Sequence, residues 1–424
     1  MQFVSLRALT DRIHQQIRWF GASACWWAPG MGTTRRAREF MRLLFTSEGL
    51  GLNTIRINIG GSVQEDRSDA VSGKPLWRGV LSPLKPDGSY DIRRCPGTWA
   101  IIREAMELGT IDNITLFMNS PPSTMTKNGK TNGDKSGVEK QYLSNLREDC
   151  YEAYAGYVAD VTELYVEAGV PVKYVSPINE PQWEWSGGQE GCHYSPEECV
   201  RIFRLTVRAL EARKRKNRKL RGVRLSLPET AVWWQHTYVH DFYKLLCTDP
   251  EIAPYVDHFC AHSYGTNREQ KLDFADYTRQ FDCRLPLHQT EWGPMHPIHD
   301  VGMDTALELA EVLHDDLNVL HVENWTWWLG VGGVSYTDGL ICYDSERDRA
   351  DFPKRYYVMK QHSRFLLNHR PVDVEASGLP EGVLAGAYLS ENGAELVWEL
   401  TNPGAEPVTV TFDGLPESSV ARVY

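Results

Sequence analysis

The sequence predicts an α/β fold, a (β/α)8 TIM barrel carrying a small antiparallel β side domain. Three observations carry that prediction. Strand-like and helix-like segments alternate eight times between about residues 19 and 353. The strand segments run out into polar or aromatic residues, as they do at the C-terminal rim of such barrels. From residue 354 onward the pattern becomes short alternating runs separated by turn signals such as Asn392-Gly393 and Asn402-Pro403-Gly404.

Taken in order, the first strand is Trp19 to Trp27, and a helical pattern follows from Arg35 to Phe45. The second strand, Asn53 to Asn58, opens into a long polar loop through Asp66 to Asp91. A helix over Thr98 to Leu108 places Ile101, Ile102, Ala105, Met106 and Leu108 on one side. The third strand, Ile114 to Met118, leads to Asn119-Ser120-Pro121-Pro122, a loop over Gly129 to Gly137, and a tyrosine-rich helix over Leu143 to Ala168. Strand four is Lys173 to Ser176. Ser195-Pro196-Glu197-Glu198 then reads as an N-cap, a proline at the first helical position and an acidic first turn. The fifth strand is Arg224 to Leu227, followed by a helix over Tyr238 to Cys247. The sixth is Val256 to Ala261, running into His262-Ser263-Tyr264. Strand seven is Leu285 to Gln289, ending at Glu291, with a helix over Thr305 to His314. Strand eight is His321 to Trp328.

Residues 19–353 are thus expected to form the barrel. A linking helix over Tyr356 to Leu367 and short strands at Leu384 to Tyr388, Glu395 to Leu400 and Val408 to Phe412 form the rest, residues 354–424. That span is thin for an independent sandwich, so it is expected to take a strand from the N-terminal segment 1–18.

Composition bounds the function. The chain has 424 residues and a formal net charge of −11, which argues against nucleic acid as a partner. The basic run Arg213 to Lys219 reads as a solvated helix end. No apolar run approaches the ~20 residues of a membrane span. No signal peptide is evident, and the 9 cysteines form no paired framework, so a cytoplasmic location is expected. The chain contains 14 tryptophans, several beside Gly, Pro and polar residues at strand ends, where an aromatic face suits a ligand.

The chemistry concentrates in Val175-Ser176-Pro177-Ile178-Asn179-Glu180-Pro181-Gln182-Trp183-Glu184-Trp185. A carboxylate at a strand end, an amide beside it and indoles close by are what glycosidic bond cleavage needs. Glu180 can protonate a leaving oxygen, and the indoles can stack on a sugar ring. A second carboxylate at another strand end is then required, and Glu291, at the end of strand seven, is the candidate. Alone, Asn-Glu-Pro is more often a turn than a site. Two other function classes compete. His288, His296 and His299 with Glu291 and Asp300 could hold a metal, although they lack a tight helical pair of ligands. A carbohydrate-binding protein without activity is the other, and the retention of both carboxylates argues against it.

These segments resemble glycoside hydrolase family 30, retaining glycosidases built as a barrel with a β side domain. The resemblance covers essentially the whole chain. It rests on Phe20-Gly21-Ala22-Ser23, Asn119-Ser120-Pro121-Pro122, Asn179-Glu180-Pro181, Thr290-Glu291, Trp327-Trp328 and the helix from Tyr356 to Phe365. Pro181 to Trp185 with Gly188 to Cys192 resembles the endo-β-1,6-galactanase branch. Two departures stand out: Ser123-Thr124-Met125 replaces the family's usual aromatic pair before a methionine, and the side domain is short. The resemblance implies Glu180 as acid/base and Glu291 as nucleophile, ~5–5.5 Å apart. It implies Arg56 as the partner of the nucleophile, Asn179 on the sugar's 2-hydroxyl, Tyr264 donating to Glu291 and Trp328 as the platform under the reacting sugar. His262 joins these as a polar contact rather than a catalyst, and mere rim structure is the lesser alternative for Arg56 and Tyr264. Trp183, Trp185 and Trp292 either stack on ligand or pack loops, and Glu229 is a possible sugar contact. The activity implied is hydrolysis of β-1,6-linked galactose chains such as arabinogalactan side chains, without a metal or other cofactor. A β-glucosidase, β-fucosidase, β-1,6-glucanase or xylanase is the alternative.

Overall fold

The computed structural model describes residues 2–71, 78–133, 144–415 and 419–424. Parts of two expected loops, 72–77 and 134–137, and Leu143 at the expected start of the tyrosine-rich helix, lie outside the described residues.

In chain order the elements are β1 (Gln2–Ile13), β2 (Trp19–Ser23), α1 (Trp27–Met31), α2 (Arg35–Phe45), β3 (Thr54–Ile59), α3 (Pro96–Leu108), β4 (Asn113–Met118), α4 (Tyr151–Glu167), β5 (Val172–Ser176), α5 (Pro196–Lys216), β6 (Arg224–Leu225), β7 (Pro228–Thr230), α6 (His240–Thr248), β8 (Phe259–Ala261), α7 (Arg268–Thr278), β9 (Leu287–Trp292), α8 (Asp304–Asn318) and β10 (Asn324–Gly332). They continue as β11 (Gly339–Asp344), β12 (Arg349–Asp351), α9 (Lys354–Phe365), β13 (His369–Ser377), β14 (Leu384–Ser390), β15 (Leu396–Thr401) and β16 (Val408–Asp413).

The larger sheet is parallel in the order β6-β5-β4-β3-β2-β10-β9-β8-β7, with β11 added to β10 and β12 to β11. Its two ends, β6 and β7, are successive pieces of one stretch of chain. The N–H of Ser226 donates to the carbonyl of Val175 on one side (3.0 Å), and the N–H of Cys260 donates to the carbonyl of Leu227 on the other (2.9 Å). Every residue of β2, β3, β4 and β9 is buried, as expected of parallel strands covered on both faces. The helices start where the sequence places their caps. Ser195 accepts from the N–H of Glu198 while Glu198 accepts from that of Ser195, closing a capping box ahead of Pro196.

A second sheet runs in the order β15-β14-β13-β1-β16, with β1 antiparallel to β13 and parallel to β16. The N-terminal segment therefore lies inside the sheet that the C-terminal segments build.

The structure departs from the expected elements in six places. The first strand ends at Ser23, and Trp27 opens the short helix α1. The helix α7 stands between strands six and seven. Only Lys271, Phe274 and Ala275 of it are buried, so its apolar stripe is too narrow to read from sequence. The fifth strand is split at Ser226-Leu227. The tyrosine-rich helix begins at Tyr151, after a short 3-10 turn over Glu148–Cys150. The strands β11, β12 and β13 are additional. Glu291 lies within β9, one residue before its end, rather than beyond the strand.

Candidate active site

The chain just beyond β5 and the strand β7 together set the first carboxylate. Beyond β5, Glu180 takes a left-handed backbone (φ 45°), and so does Glu229 in β7 (φ 58°). Such conformations cost of order 1–3 kcal/mol in a non-glycine residue and persist only where neighbours hold them. Both peptide groups of Glu180 are held. Its N–H donates to the carbonyl of Glu229 (2.8 Å), and its carbonyl accepts from the indole N–H of Trp185 (2.9 Å). Pro181 contributes by disfavouring the right-handed helical region for the residue before it.

The second carboxylate, Glu291 on β9, receives Arg56 Nη1 on Oε2 (2.5 Å) and the Tyr264 hydroxyl on Oε1 (3.2 Å). Arg56 also donates through Nη2 to Asn179 Oδ1 (2.7 Å) and to Glu229 Oε2 (3.2 Å), and its guanidinium lies 3.7 Å over the Phe117 ring. His262 Nδ1 stands 2.8 Å from Glu180 Oε1 and 3.8 Å from Glu291 Oε1. Its Nε2 stands 3.1 Å from Glu229 Oε2. An oxygen of Glu180, a nitrogen of His262 and an oxygen of Glu291 all lie within 4.8 Å of one another. That spacing falls on the short side of the division between retaining (~5–5.5 Å) and inverting (~6.5–9.5 Å) carboxyl pairs.

Glu229 is the hub of this cluster. It is wholly buried and accepts from Ser176 Oγ (2.7 Å), Ser226 Oγ (3.0 Å) and Thr290 Oγ1 (2.6 Å) besides Arg56 and His262. Burial alone would raise its pKa, but Arg56, His262 and Ser176 together outweigh that and hold the carboxyl well below the usual range. Burial also works against the charge on His262, yet Glu291, Glu180 and Glu229 prevail and push its pKa up to about 9. Burial, with the charge of Glu180 behind it, holds the Glu291 pKa above its ordinary value, although His262 and Arg56 oppose the shift. Burial and then the charge of Glu291 push Tyr264 well above its ordinary value, so it remains a hydroxyl donor.

A cavity of about 380 Å³ opens onto both carboxylates. Six of the residues singled out from sequence stand on its wall: Glu180, Glu291, Trp183, Trp185, Tyr264 and Trp328. Four do not. Arg56, Asn179 and His262 sit behind the wall, at 2%, 3% and 0% exposure, and hold the carboxylates and one another. Trp292 belongs to the core: its ring packs edge-on against Trp327 at 5.7 Å. Glu229, read as a possible sugar contact, has no exposed surface at all. The indole of Trp183 is 41% exposed, whereas that of Trp185 packs over Gly191, where a Cβ would meet the ring at 2.3 Å. Ser123 is buried and donates its hydroxyl to Asp69, away from the wall.

The wall also holds Trp26, Arg78, Gln189, Met295, Tyr336 and Asp338, which the sequence reading left unassigned. The guanidinium of Arg78 lies 4.5 Å over the Trp26 ring, and Trp26 meets Trp328 edge-on at 5.3 Å. Asp338 is 7% exposed, and its Oδ1 is buried without a hydrogen-bond partner. Burial pushes its pKa up to about 6. Only Gln189, inside the loop that carries the family resemblance, had a sequence signal.

The alternative metal cluster does not assemble among the described residues. His288 is buried and stacked on His258 (3.9 Å), His296 bonds Glu308 (2.9 Å), His299 stands 3.6 Å from Asp351, and Asp300 accepts from Gly302 and Thr305. Glu180, His262 and Glu291 are close enough to share an ion. Arg56 and a protonated His262, however, already supply the positive charge there.

No helix among the described residues is long and apolar enough to cross a membrane. A curated relative, the glucuronoxylanase XynC of Bacillus subtilis, is 24% identical over 371 residues, covering 81% of this chain and 76% of XynC. A conserved exported protein from Bacteroides fragilis superposes with a TM-score of 0.80 at 19% identity, over 97% of this chain and 92% of that one. The endo-β1,6-glucanase BT3312 gives 0.69 at 16% identity, over 96% and 89% of the two chains. The sequence model of O-glycosyl hydrolase family 30 matches residues 4–238 and 257–342, well over half of the chain. The chain belongs to glycoside hydrolase family 30.

Proposed function

We propose that this chain is a retaining glycosidase acting on β-1,6-linked galactose chains at the C-terminal rim of a (β/α)8 barrel, with the second sheet as its side domain. The observation that carries the mechanism is the close approach of Glu180 and Glu291, within 4.8 Å, both facing Nδ1 of His262. That separation leaves no room for the water an inverting enzyme places between its carboxyls. Glu291 attacks the anomeric carbon while Glu180 passes its proton to the leaving glycosidic oxygen. A covalent glycosyl ester on Glu291 results. Glu180 then takes a proton from water, whose oxygen attacks the same carbon and releases Glu291, so the anomeric configuration is restored.

The charges suit these roles. Glu180, Glu229 and Glu291 face two cations, Arg56 and His262. The cluster therefore has room for one further proton. Glu180 is a carboxylate on the wall and is free of Arg56, so from it that proton can reach a substrate. Asn179 accepts from Arg56 on Oδ1, which leaves its amide nitrogen as the donor for a 2-hydroxyl.

The linkage reading rests on the loop 181–192. It resembles the β-1,6-galactanase branch and sets Trp183, Trp185 and Gln189 on the wall beside Glu180. A 1,6-linkage adds a rotatable bond, so binding such a chain costs more conformational entropy, which aromatic stacking offsets in part. A β-1,6-glucanase is the second reading, favoured by the fold shared with the glucanase BT3312. Incubation with β-1,6-galactotetraose, followed by mass and linkage analysis and by NMR of the first-formed anomer, decides between them. Shorter galactosides released as the β anomer are expected. Inert galactotetraose beside rapid cleavage of a β-1,6-glucan or a xylo-oligosaccharide rejects the galactan reading, and an α anomer rejects double displacement.

A further inference from the structure

A second group of ligand-type side chains lies away from the carboxylate cavity, on the helices that follow β7 and β8. His236 sits in the turn before α6, His240 is the first residue of α6, and Asp273 lies on α7. The two imidazoles are stacked, with ring centroids 4.0 Å apart and planes 26° from parallel. His240 Nε2 stands 3.1 Å from Asp273 Oδ2. One donor atom from each of the three residues lies within 4.8 Å of the other two.

Each residue has a separate reason to suit an ion. His240 is fixed by the core, edge-on to Phe274 (5.5 Å) and Tyr277 (4.5 Å), and is 4% exposed. Its Nε2 faces Asp273, so an ion seated between the two would take the place of that hydrogen bond. His236 and Asp273 are exposed, so an ion has a way in from solvent.

From this juxtaposition we infer that His236, His240 and Asp273 form a binding site for a divalent transition ion of the zinc type, which clamps the start of α6 to α7. Two imidazoles and one carboxylate are a donor set for zinc, with water completing a tetrahedron. Bonds of about 2.1 Å in that geometry set donor atoms roughly 3.4 Å apart. From a limit of 4.8 Å, a donor needs to move at most about 1.4 Å, which surface rotamers of His236 and Asp273 can supply. None of the three residues is on the wall of the carboxylate cavity, so the ion braces the scaffold and takes no part in bond cleavage.

The test uses the full chain, stripped with a chelator and then titrated with zinc chloride by calorimetry and by thermal melting. His236→Ala with Asp273→Asn is the comparison, since both positions are exposed and the fold survives their loss. The wild type should take up one zinc that the double variant lacks, or binds at least tenfold more weakly. Zinc should raise the melting temperature of the wild type and leave that of the variant unchanged. Cobalt(II) should give the intense visible absorption of a tetrahedral site in the wild type only. An ion bound at Glu180, His262 and Glu291 would appear equally in both proteins, so the difference between them is the reading. Equal zinc affinity and equal melting shifts in the two proteins, or neither heat nor shift in the wild type, overturn the site.

Discussion

Replacing Glu229 by Gln removes one charge from the centre of the cluster without changing the shape of the side chain. Two cations then lose a buried partner: Arg56 at 3.2 Å and His262 at 3.1 Å. Removing one member of a buried ion pair costs about 3–5 kcal/mol. The unfolding entropy of a 424-residue chain is roughly 0.9 kcal/mol per degree at about 2.1 cal/mol/K per residue. The melting temperature should therefore fall by about 3–6 °C. The second consequence concerns pH. His262 is raised to about 9, and Glu229 is one of the three carboxylates that hold it there. A histidine raised on folding contributes stability that is complete below its unfolded value, ~6.5, and is lost as pH rises through the folded value. In Glu229→Gln the folded value drops, so the alkaline limbs of both stability and kcat move to lower pH. Scanning fluorimetry and turnover of an aryl glycoside across the pH range measure the two effects. A residue that merely fills space would lower the melting temperature and leave the alkaline limb in place. An unchanged limb would refute the argument that Glu229 sets the protonation of His262.

Four further expectations follow from the same geometry. Glu291→Gln should abolish turnover of every substrate. Glu180→Ala should keep the first step on substrates with good leaving groups and, with azide, yield a β-glycosyl azide; an α product overturns the roles. Trp183→Ala and Trp292→Ala should separate cleanly: the first, 41% exposed on the wall, raises KM about tenfold with little change in melting, as for loss of one stacking contact. The second, a core ring, costs roughly 3–5 kcal/mol of stability, and a folded, weak-binding Trp292→Ala would contradict its placement. Asp338→Asn should stabilise the protein at neutral pH. The Asp338 pKa rises on folding to about 6, so its ionised form opposes folding above that pH and has no effect once both states are protonated. Melting temperatures that differ at neutral pH and converge in acid are expected, and a variant less stable at neutral pH argues against it.

The alternation of strands and helices was legible because parallel strands bury both faces and read as continuous apolar runs. The cap at Ser195-Pro196 fixed the start of α5 to the residue. Helix α7 was not legible, because its burial rests on Phe274, Ala275 and a lysine paired with Asp316 at 2.9 Å. At the site, Glu180, Glu291 and the aromatics near them carry local signals. Glu229 does not. Its significance comes from five donors on five segments of the chain, which only the closed packing of the strands brings together. Trp292 shows the converse. A tryptophan beside Glu291 looks like a sugar platform in one dimension, but alternation along β9 turns it to the face opposite that carboxylate. Arg78 and Asp338 reach the wall from loops whose course no periodicity reports.

The position of β1 has a consequence for how the chain is made. Gln2–Ile13 pairs with β13 and β16, whose residues are synthesised hundreds of positions later. During translation the first strand emerges with both edges unpaired, and the edge that takes β16 stays open until Asp413 has left the ribosome. Closing so long a loop adds only slowly growing entropy, but the wait leaves an extended, partly apolar segment exposed to other chains. The second sheet thus acts as a latch that shuts only once every residue from β1 through β16 has been made.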